Sequence, residues 1–187
     1  SSPPSCLSPP SLPDPTPLFT GKGHILVLNF TTGYNDISPT TDHLGCLNAD
    51  GAFTLSDCAV FTVADDFPRE LTTAEGGVCT FYDDRAPEHL DSYYRKGLHA
   101  LSCTKEGSTV EGAWRNSFYT IRGFNYPFIC IGDFGCLYET KKVPDTEKEV
   151  LSVWEYAWGA HQMNGTPGYL QVVWLWDPVK EIAEKSS

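Results

Sequence analysis

The sequence predicts a mainly β protein: a single antiparallel β-sandwich or barrel that is stabilised by disulfide bonds and contains little helix. Two observations favour this fold. Runs of β-branched, apolar and aromatic residues recur at intervals of about 8–12 residues, with glycine, proline, asparagine or aspartate between them. Cysteines lie within or beside these runs, where they can cross-link neighbouring strands.

Length and composition divide the chain into three parts. A length of 187 residues suits one domain. Residues 1–18 are rich in serine and proline and hold almost no core-forming side chains, which predicts an extended leader. We expect the β-domain over residues 19–178 and a C-terminal tail over 179–187, in which 179–185 could form one or two helical turns.

Charge and hydropathy exclude two classes of partner. The formal net charge is −11, and 13 basic residues are dispersed among 24 acidic ones. Nucleic-acid binding normally requires a clustered basic face, so we expect no nucleic-acid partner, while a neutral or cationic partner stays open. No apolar run approaches the roughly 20 residues of a membrane helix, so we expect no membrane partner either.

Residues 44–63 form a compact unit of short predicted strands. Asn48 to Gly51 make a tight turn, because glycine adopts the positive φ that such turns require. Cys46 and Cys58 are near enough in sequence to bridge the unit. A disulfide closing so short a loop would contribute about 2–3 kcal/mol.

Apolar runs predict further strands along the chain, at residues 23–30, 70–73, 78–82, 98–103, 114–121, 128–131 and 170–176. Cys79 and Cys103 lie in two of these strands and could pair. Cys130 and Cys136 could close the short loop between them. Seven cysteines admit many pairings, so the residues alone leave the connectivity open.

The segment 149–158 has two interpretations. On a helix, its apolar side chains would share one face. On a strand, Trp154, Tyr156 and Trp158 would lie on one side. Residue propensity does not decide between them.

The cysteines and two sequons predict a secreted protein, extracellular or in the cell wall. The cysteine spacing matches no zinc pattern, and we expect no metal and no cofactor. Asn29 and Asn164 each begin an Asn-x-Thr sequon, although the proline after the second disfavours its use. Cys6 is the expected odd cysteine, in the leader.

Several short motifs, in this order, resemble the C-terminal domain of secreted fungal ribonucleases of the T-two family. The resemblance covers roughly residues 21–153. The motifs that carry it are Gly45-Cys46-Leu47, Gly51-x-Phe53, Cys58-Ala59-x-Phe61-Thr62, Leu71-Thr72-Thr73, Gly77-x-Cys79, Leu101-x-Cys103, Leu137-Tyr138 and Val143-Pro144.

This resemblance implies a β-rich, non-catalytic domain with a role in association with cell walls or polysaccharides. It also implies the pairs Cys46–Cys58 and Cys79–Cys103. It does not imply RNA cleavage, because the His-Gly-Leu-Trp-Pro and His-Glu segments that mark the family's catalytic domain do not occur here. The tyrosine-bearing insertion and the tryptophan-rich C-terminal third depart from the module.

Aromatic residues are the candidate ligand-binding side chains, because an exposed, rigid ring can pack against the apolar C–H face of a sugar. The candidates outside the predicted core are Trp154, Tyr156, Trp158, Tyr93, Tyr94 and Trp114. Trp174 and Trp176 share a strand face with Leu170 and Val172, which predicts that both belong to the core.

We assign no catalytic residue from the sequence. The pairs Asp65–Asp66 and Asp83–Asp84 could supply the two carboxylates of a glycosidase. Adjacent acids at turns are more often solvated turn residues, and no Gly-x-Ser-x-Gly elbow is present.

These observations favour a secreted non-catalytic domain that binds carbohydrate or a cell-wall surface. A glycan-active hydrolase or lyase that uses an acid pair is the first alternative. The second is a secreted effector that binds a host protein.

Overall fold

The computed structural model describes residues 19–94, 97–106, 116–132 and 135–180. The predicted fold class is confirmed: the chain is mainly β, and an antiparallel sheet curls into a half-barrel. The predicted leader and most of the tail lie outside these ranges, and Val179 and Lys180 are not helical. Within these ranges, no helix is long and apolar enough to cross a membrane.

The described part of the chain holds twelve strands and one short 3-10 helix at Tyr34–Asp36. The strands are β1 (Lys22–Asn29), β2 (His43–Leu47), β3 (Phe53–Thr54), β4 (Phe61–Val63), β5 (Leu71–Thr73), β6 (Gly77–Thr80), β7 (Ser102–Thr104), β8 (Phe118–Thr120), β9 (Ile129–Ile131), β10 (Tyr138–Thr140), β11 (Val153–Glu155) and β12 (Leu170–Pro178).

Strand β1 is the centre of the main, ten-stranded sheet. It pairs with β12 along most of its length, from Gly23 opposite Pro178 to Asn29 opposite Val172. Two strands pair with the other edge of β1. Strand β4 pairs with its first residues, and β2 pairs with residues near its end. The strand order is β11-β10-β12-β1-β4-β5-β6-β7, with β2 and β3 branching from β1, and β8–β9 form a separate two-stranded sheet.

The curled sheet brings β3, on the branch beside β1, next to the residue two positions before β11, although β3 and β11 are not neighbours in the strand order. Phe53 of β3 and Leu151 exchange backbone hydrogen bonds of 2.8 and 3.0 Å. The Leu101 amide donates to the Val153 carbonyl at 2.8 Å. The long connections after β6 and after β11 therefore emerge at the same end of the molecule.

Strand β12 is buried on both faces, which accounts for its continuous apolar sequence. Trp174 and Trp176 face the main core, as predicted, and the Trp174 ring stacks on Tyr138 with centroids 3.6 Å apart. Val173 and Leu175 face a second cluster that includes Phe128. This burial makes β12 a rigid base for the connections beside it.

Three disulfides cross-link the domain. Cys46–Cys58 and Cys79–Cys103 confirm the pairs that the family resemblance implies, and Cys130–Cys136 closes the short loop after β9. Cys79 lies directly opposite Cys103 across β6 and β7. Cys58 lies outside the strands, so the first bridge joins β2 to a loop rather than to a neighbouring strand.

The turn predicted at residues 48–51 is present. Asn48 Oδ1 accepts hydrogen bonds from the amides of Asp50 and Ala52 at 3.0 and 2.9 Å, and Gly51 has a φ of 85°. A Cβ at Gly51 would lie 3.2 Å from the Cys103 sulfur. The turn therefore packs directly on the second disulfide, and a larger residue would be strained there.

Two predicted strands are shorter in the structure, and the segment with two interpretations adopts the strand in part. The strand expected at 98–103 is confined to Ser102–Thr104. The long strand expected at 114–121 is confined to Phe118–Thr120, and its first two positions lie outside the described residues. The segment 149–158 forms a strand only at Val153–Glu155. Pairing explains this short length, since β10 offers partners for those three residues alone.

Candidate functional site

The connection after β6 and the connection between β11 and β12 meet and enclose an open groove of about 860 Å³. Leu90, Asp91 and Tyr93 line one side of it. His161 and Met163 are among the residues on the other side. In their described residues neither connection has a regular strand, and side-chain hydrogen bonds join one connection to the other.

One exposed aromatic side chain lines this groove, and a second is exposed on the loop that forms one of its sides. Tyr93 is 61% exposed, and its ring stacks on His161 with centroids 4.6 Å apart. Trp158, on the same connection as His161, is 71% exposed. A single exposed aromatic ring is ordinary, but one that lines a groove together with other exposed apolar side chains marks a candidate binding surface.

Tyr94 fastens the two connections to each other. Its hydroxyl accepts a hydrogen bond from the His161 amide at 3.3 Å. The same oxygen approaches Gly159 so closely that a Cβ there would lie 2.2 Å from it. The residue after Trp158 therefore has to be small, and Tyr94 sets the position of the tryptophan-bearing loop.

A buried polar network lies behind the groove. His89 Nε2 is 2.6 Å from Glu139 Oε1, and both side chains are fully buried. Thr166 donates to the same carboxylate twice, from its hydroxyl to Oε1 at 2.5 Å and from its amide to Oε2 at 2.9 Å. The carboxylate of Glu139, on β10, thereby binds both connections to the sheet.

Gln162 extends this network to the wall of the groove. Its Nε2 donates to the Ala157 carbonyl at 2.7 Å, and its Oε1 accepts from the Tyr93 amide at 2.7 Å. The Ser92 hydroxyl donates to the same oxygen at 3.2 Å. One buried side chain thus fixes the backbone of Tyr93 relative to the loop that carries Trp158.

Aromatic rings enclose the His89 imidazole. Trp154 stacks on it at 4.5 Å, and Tyr169 packs against it at 4.7 Å. The Trp154 indole donates to the Pro87 carbonyl at 3.1 Å, and the Tyr169 hydroxyl donates to Asp91 Oδ2 at 2.5 Å. His89 Nδ1 is buried and has no hydrogen-bond partner among the described residues. The imidazole is therefore closed off from solvent, and its role is to hold the connection after β6 in place.

Of the six predicted aromatic residues, the structure brings Tyr93 and Tyr94 into contact. Trp158 is exposed on the loop that Tyr94 contacts, outside the groove lining. Trp154 is buried behind the groove, and Tyr156 is half-buried against Gly165. The common face expected for Trp154, Tyr156 and Trp158 does not form, because β11 ends at Glu155. Trp114 lies outside the described residues.

Sequence reasoning missed the residues that hold the groove, which are His89, Glu139, Gln162 and Thr166. His89 lies in the tyrosine-bearing insertion after β6, and its side chain is fully buried. A lone histidine in a loop and a glutamate 50 residues later carry no signal that they pair.

The two acid pairs that could supply glycosidase carboxylates lie outside the groove lining, in structural or solvent-exposed positions. Asp83 is buried and forms an ion pair with Arg85 at 2.8 Å, which holds the pKa of that carboxyl below its usual range. Asp65 and Asp66 are exposed at the β4–β5 turn. Burial raises the pKa of Glu155 to about 7, but this side chain lies on the β11 position opposite Tyr138, outside the groove lining.

The sequons occupy different environments. Asn29 is half-buried at the end of β1. Asn164 is exposed and lines the groove, while the hydroxyl of Thr166 in the same sequon is bound to Glu139. Glycosylation at either position stays a prediction.

Over the described residues, no group of three or more histidine, cysteine, aspartate or glutamate side chains could hold a metal ion. The chain matches none of the family models, curated proteins or solved structures with which it was compared.

Proposed function

We propose that this protein is a secreted, non-catalytic domain that binds carbohydrate or a cell-wall surface through the groove that Tyr93 lines, with Trp158 on the adjoining loop. The observation that carries the proposal is Tyr93, an exposed aromatic side chain that lines the groove and whose backbone is fixed from behind. Tyr93 is stacked on His161, and its amide is bound by Gln162.

The chemistry of sugars suits such a surface. A pyranose ring presents an apolar C–H face and a polar rim, so it packs on an aromatic plane and hydrogen-bonds to neighbouring polar groups. Rings that are already held in place lose little conformational entropy on binding. The groove volume of about 860 Å³ is within the usual range for ligand sites, roughly 300–1,000 Å³.

The resemblance to the C-terminal module of fungal T-two ribonucleases supports an accessory, wall-associated role. Three disulfides are compatible with a secretory history. An acid-pair hydrolase has less support, because the Asp83 carboxylate is already occupied by Arg85.

Sedimentation with insoluble chitin, β-glucan and whole fungal or plant cell walls tests the proposal. We expect retention on at least one of them, and we expect Trp158→Ala and Tyr93→Ala each to reduce it at least about fivefold, a loss of about 1 kcal/mol. Phe67→Ala is the matched control, since Phe67 is 69% exposed at the β4–β5 turn, away from the groove. Retention on none of these materials would overturn the proposal.

A protein-binding effector is the second candidate. Leu90 and Met163 are 68% and 77% exposed beside the aromatic rings, and protein interfaces combine such aliphatic, methionine and aromatic side chains. A purified host protein that binds the wild type but not Tyr93→Ala, together with indifference to every glycan, would favour this candidate.

A further inference from the structure

We propose that the groove selects glycans built of N-acetylhexosamine, such as the β-1,4-linked N-acetylglucosamine of chitin, over the corresponding glucans. This inference rests on the proposed carbohydrate-binding function and names the sugar class that the groove takes. Three side chains of the groove, Leu90, Met163 and Asp91, would find no matching group on an unsubstituted glucan.

Leu90 and Met163 are the first such side chains. Both line the groove and both are largely exposed. Aromatic rings suffice to cover the C–H faces of glucose, whose other groups are hydroxyls. Aliphatic side chains gain only from an apolar group on the ligand, and the methyl of an acetamido substituent is such a group.

Asp91 supplies the polar partner. Its Oδ2 is bound by the Tyr169 hydroxyl at 2.5 Å, which fixes the carboxylate at the groove. Its Oδ1 has no hydrogen bond within the described part of the chain. An acetamido N–H can donate to this oxygen, and hydrogen bonds to charged groups contribute about 1.5–3 kcal/mol.

The charge of the chain further restricts the class of glycans that the groove accepts. A chain with a net charge of −11 and a carboxylate in its groove repels uronates, sulfated glycans and other polyanions. A deacetylated glucosamine polymer would satisfy Asp91 through its ammonium groups, but it would leave Leu90 and Met163 without an apolar partner. The acetylated, neutral sugar provides a hydrogen-bond donor for Asp91 and a methyl group for Leu90 and Met163.

Calorimetric titration with three β-1,4-linked hexamers tests this assignment. The sugars are those of N-acetylglucosamine, glucosamine and glucose, which share their linkage and length and differ only at carbon 2. We expect the N-acetylglucosamine hexamer to bind at least about tenfold more tightly than the glucose hexamer. We expect Leu90→Ser/Met163→Ser and Asp91→Ala each to reduce this ratio to about threefold or less.

Val60→Ser is the matched control, because Val60 is an exposed aliphatic residue at another loop and should leave the ratio unchanged. Equal affinity for the acetylated and glucose hexamers would overturn the inference and leave the carbohydrate-binding function in place. Tighter binding of the glucosamine hexamer would also overturn it, since charge rather than the acetyl group would then decide. Binding of no hexamer and no insoluble glycan would overturn the proposed function itself.

Discussion

His89 Nε2 lies 2.6 Å from Glu139 Oε1, and neither side chain has any exposed surface. Because Nε2 faces a carboxylate, it is the nitrogen that donates, and Nδ1 is left between the rings of Trp154 and Tyr169. The pair joins a long, strand-poor connection to β10 of the sheet. It therefore determines where the exposed rings of the groove are held.

Removing the carboxylate of Glu139 should destabilise the folded domain. Glu139→Ala leaves the His89 and Thr166 donors buried without an acceptor, and breaking a buried pair costs about 3–5 kcal/mol. We expect a loss of that size in the free energy of unfolding, measured by urea denaturation. Glu147→Ala, at an exposed position, should change it by less than about 0.5 kcal/mol. A Glu139→Ala protein with wild-type stability would contradict the structural role of the pair.

Gln162 should affect both stability and ligand binding. Gln162→Ala removes the hydrogen bonds to the Tyr93 amide and the Ala157 carbonyl, at a cost of about 1–3 kcal/mol in unfolding free energy. Without these bonds Tyr93 is no longer fixed relative to the loop that carries Trp158, so we expect glycan affinity to fall about tenfold. Titration of the folded variant measures this loss.

Asn125→Ala is the control for Gln162→Ala. It removes an amide that bonds to Asn35 on a different loop, and it should leave glycan affinity unchanged. An equal fall in affinity for both variants would show that general destabilisation, rather than the position of Tyr93, is responsible.

The three disulfides should differ in their reactivity. Cys58 is exposed, whereas Cys79, Cys103, Cys130 and Cys136 are buried. A reducing agent reaches an exposed sulfur first, so mild reduction under native conditions should open Cys46–Cys58 before the other two bridges. Alkylation followed by peptide mass analysis checks this order. Earlier labelling of Cys79 or Cys130 would contradict it.

Strand positions could be predicted where the local pattern alone decides. Trp174 and Trp176 alternate with other side chains on one strand, and alternation places them in the core whatever strand lies beside them. The turn at Gly51 is equally local, because its positive φ depends on the residue type. Neither result requires knowledge of distant contacts.

The site could be predicted only in part, because distant contacts build it. The exposure of Trp158 and the burial of Trp154 depend on where β11 ends, and pairing with β10 decides that. The partnership of His89 with Glu139 depends on how a connection folds over the sheet. An aromatic pattern therefore found the rings at the groove but could not find the buried carboxylate that supports them.

Glu155 should make the domain less stable as the pH rises. Burial raises its pKa from 4.5 to about 7 in the folded chain. In the described residues, no basic side chain forms an ion pair with it. Below about pH 4.5 the carboxyl is protonated in both states and costs nothing. Between about pH 4.5 and 7 the unfolded chain releases the proton that the folded chain retains, so stability falls across that window and is level above it.

Glu155→Gln should remove this dependence, because an amide does not titrate. At pH 8 we expect the variant to be more stable than the wild type by about 1–3 kcal/mol, since each unit of pKa shift corresponds to about 1.4 kcal/mol and the side chain is not fully buried. At pH 4 the difference should shrink by the same amount. Urea denaturation at half-unit pH steps measures both curves, and Glu147→Gln, at an exposed position, should give a difference that does not vary with pH. A constant difference for Glu155→Gln from pH 4 to 8 would mean that its carboxyl is hydrated in the folded protein.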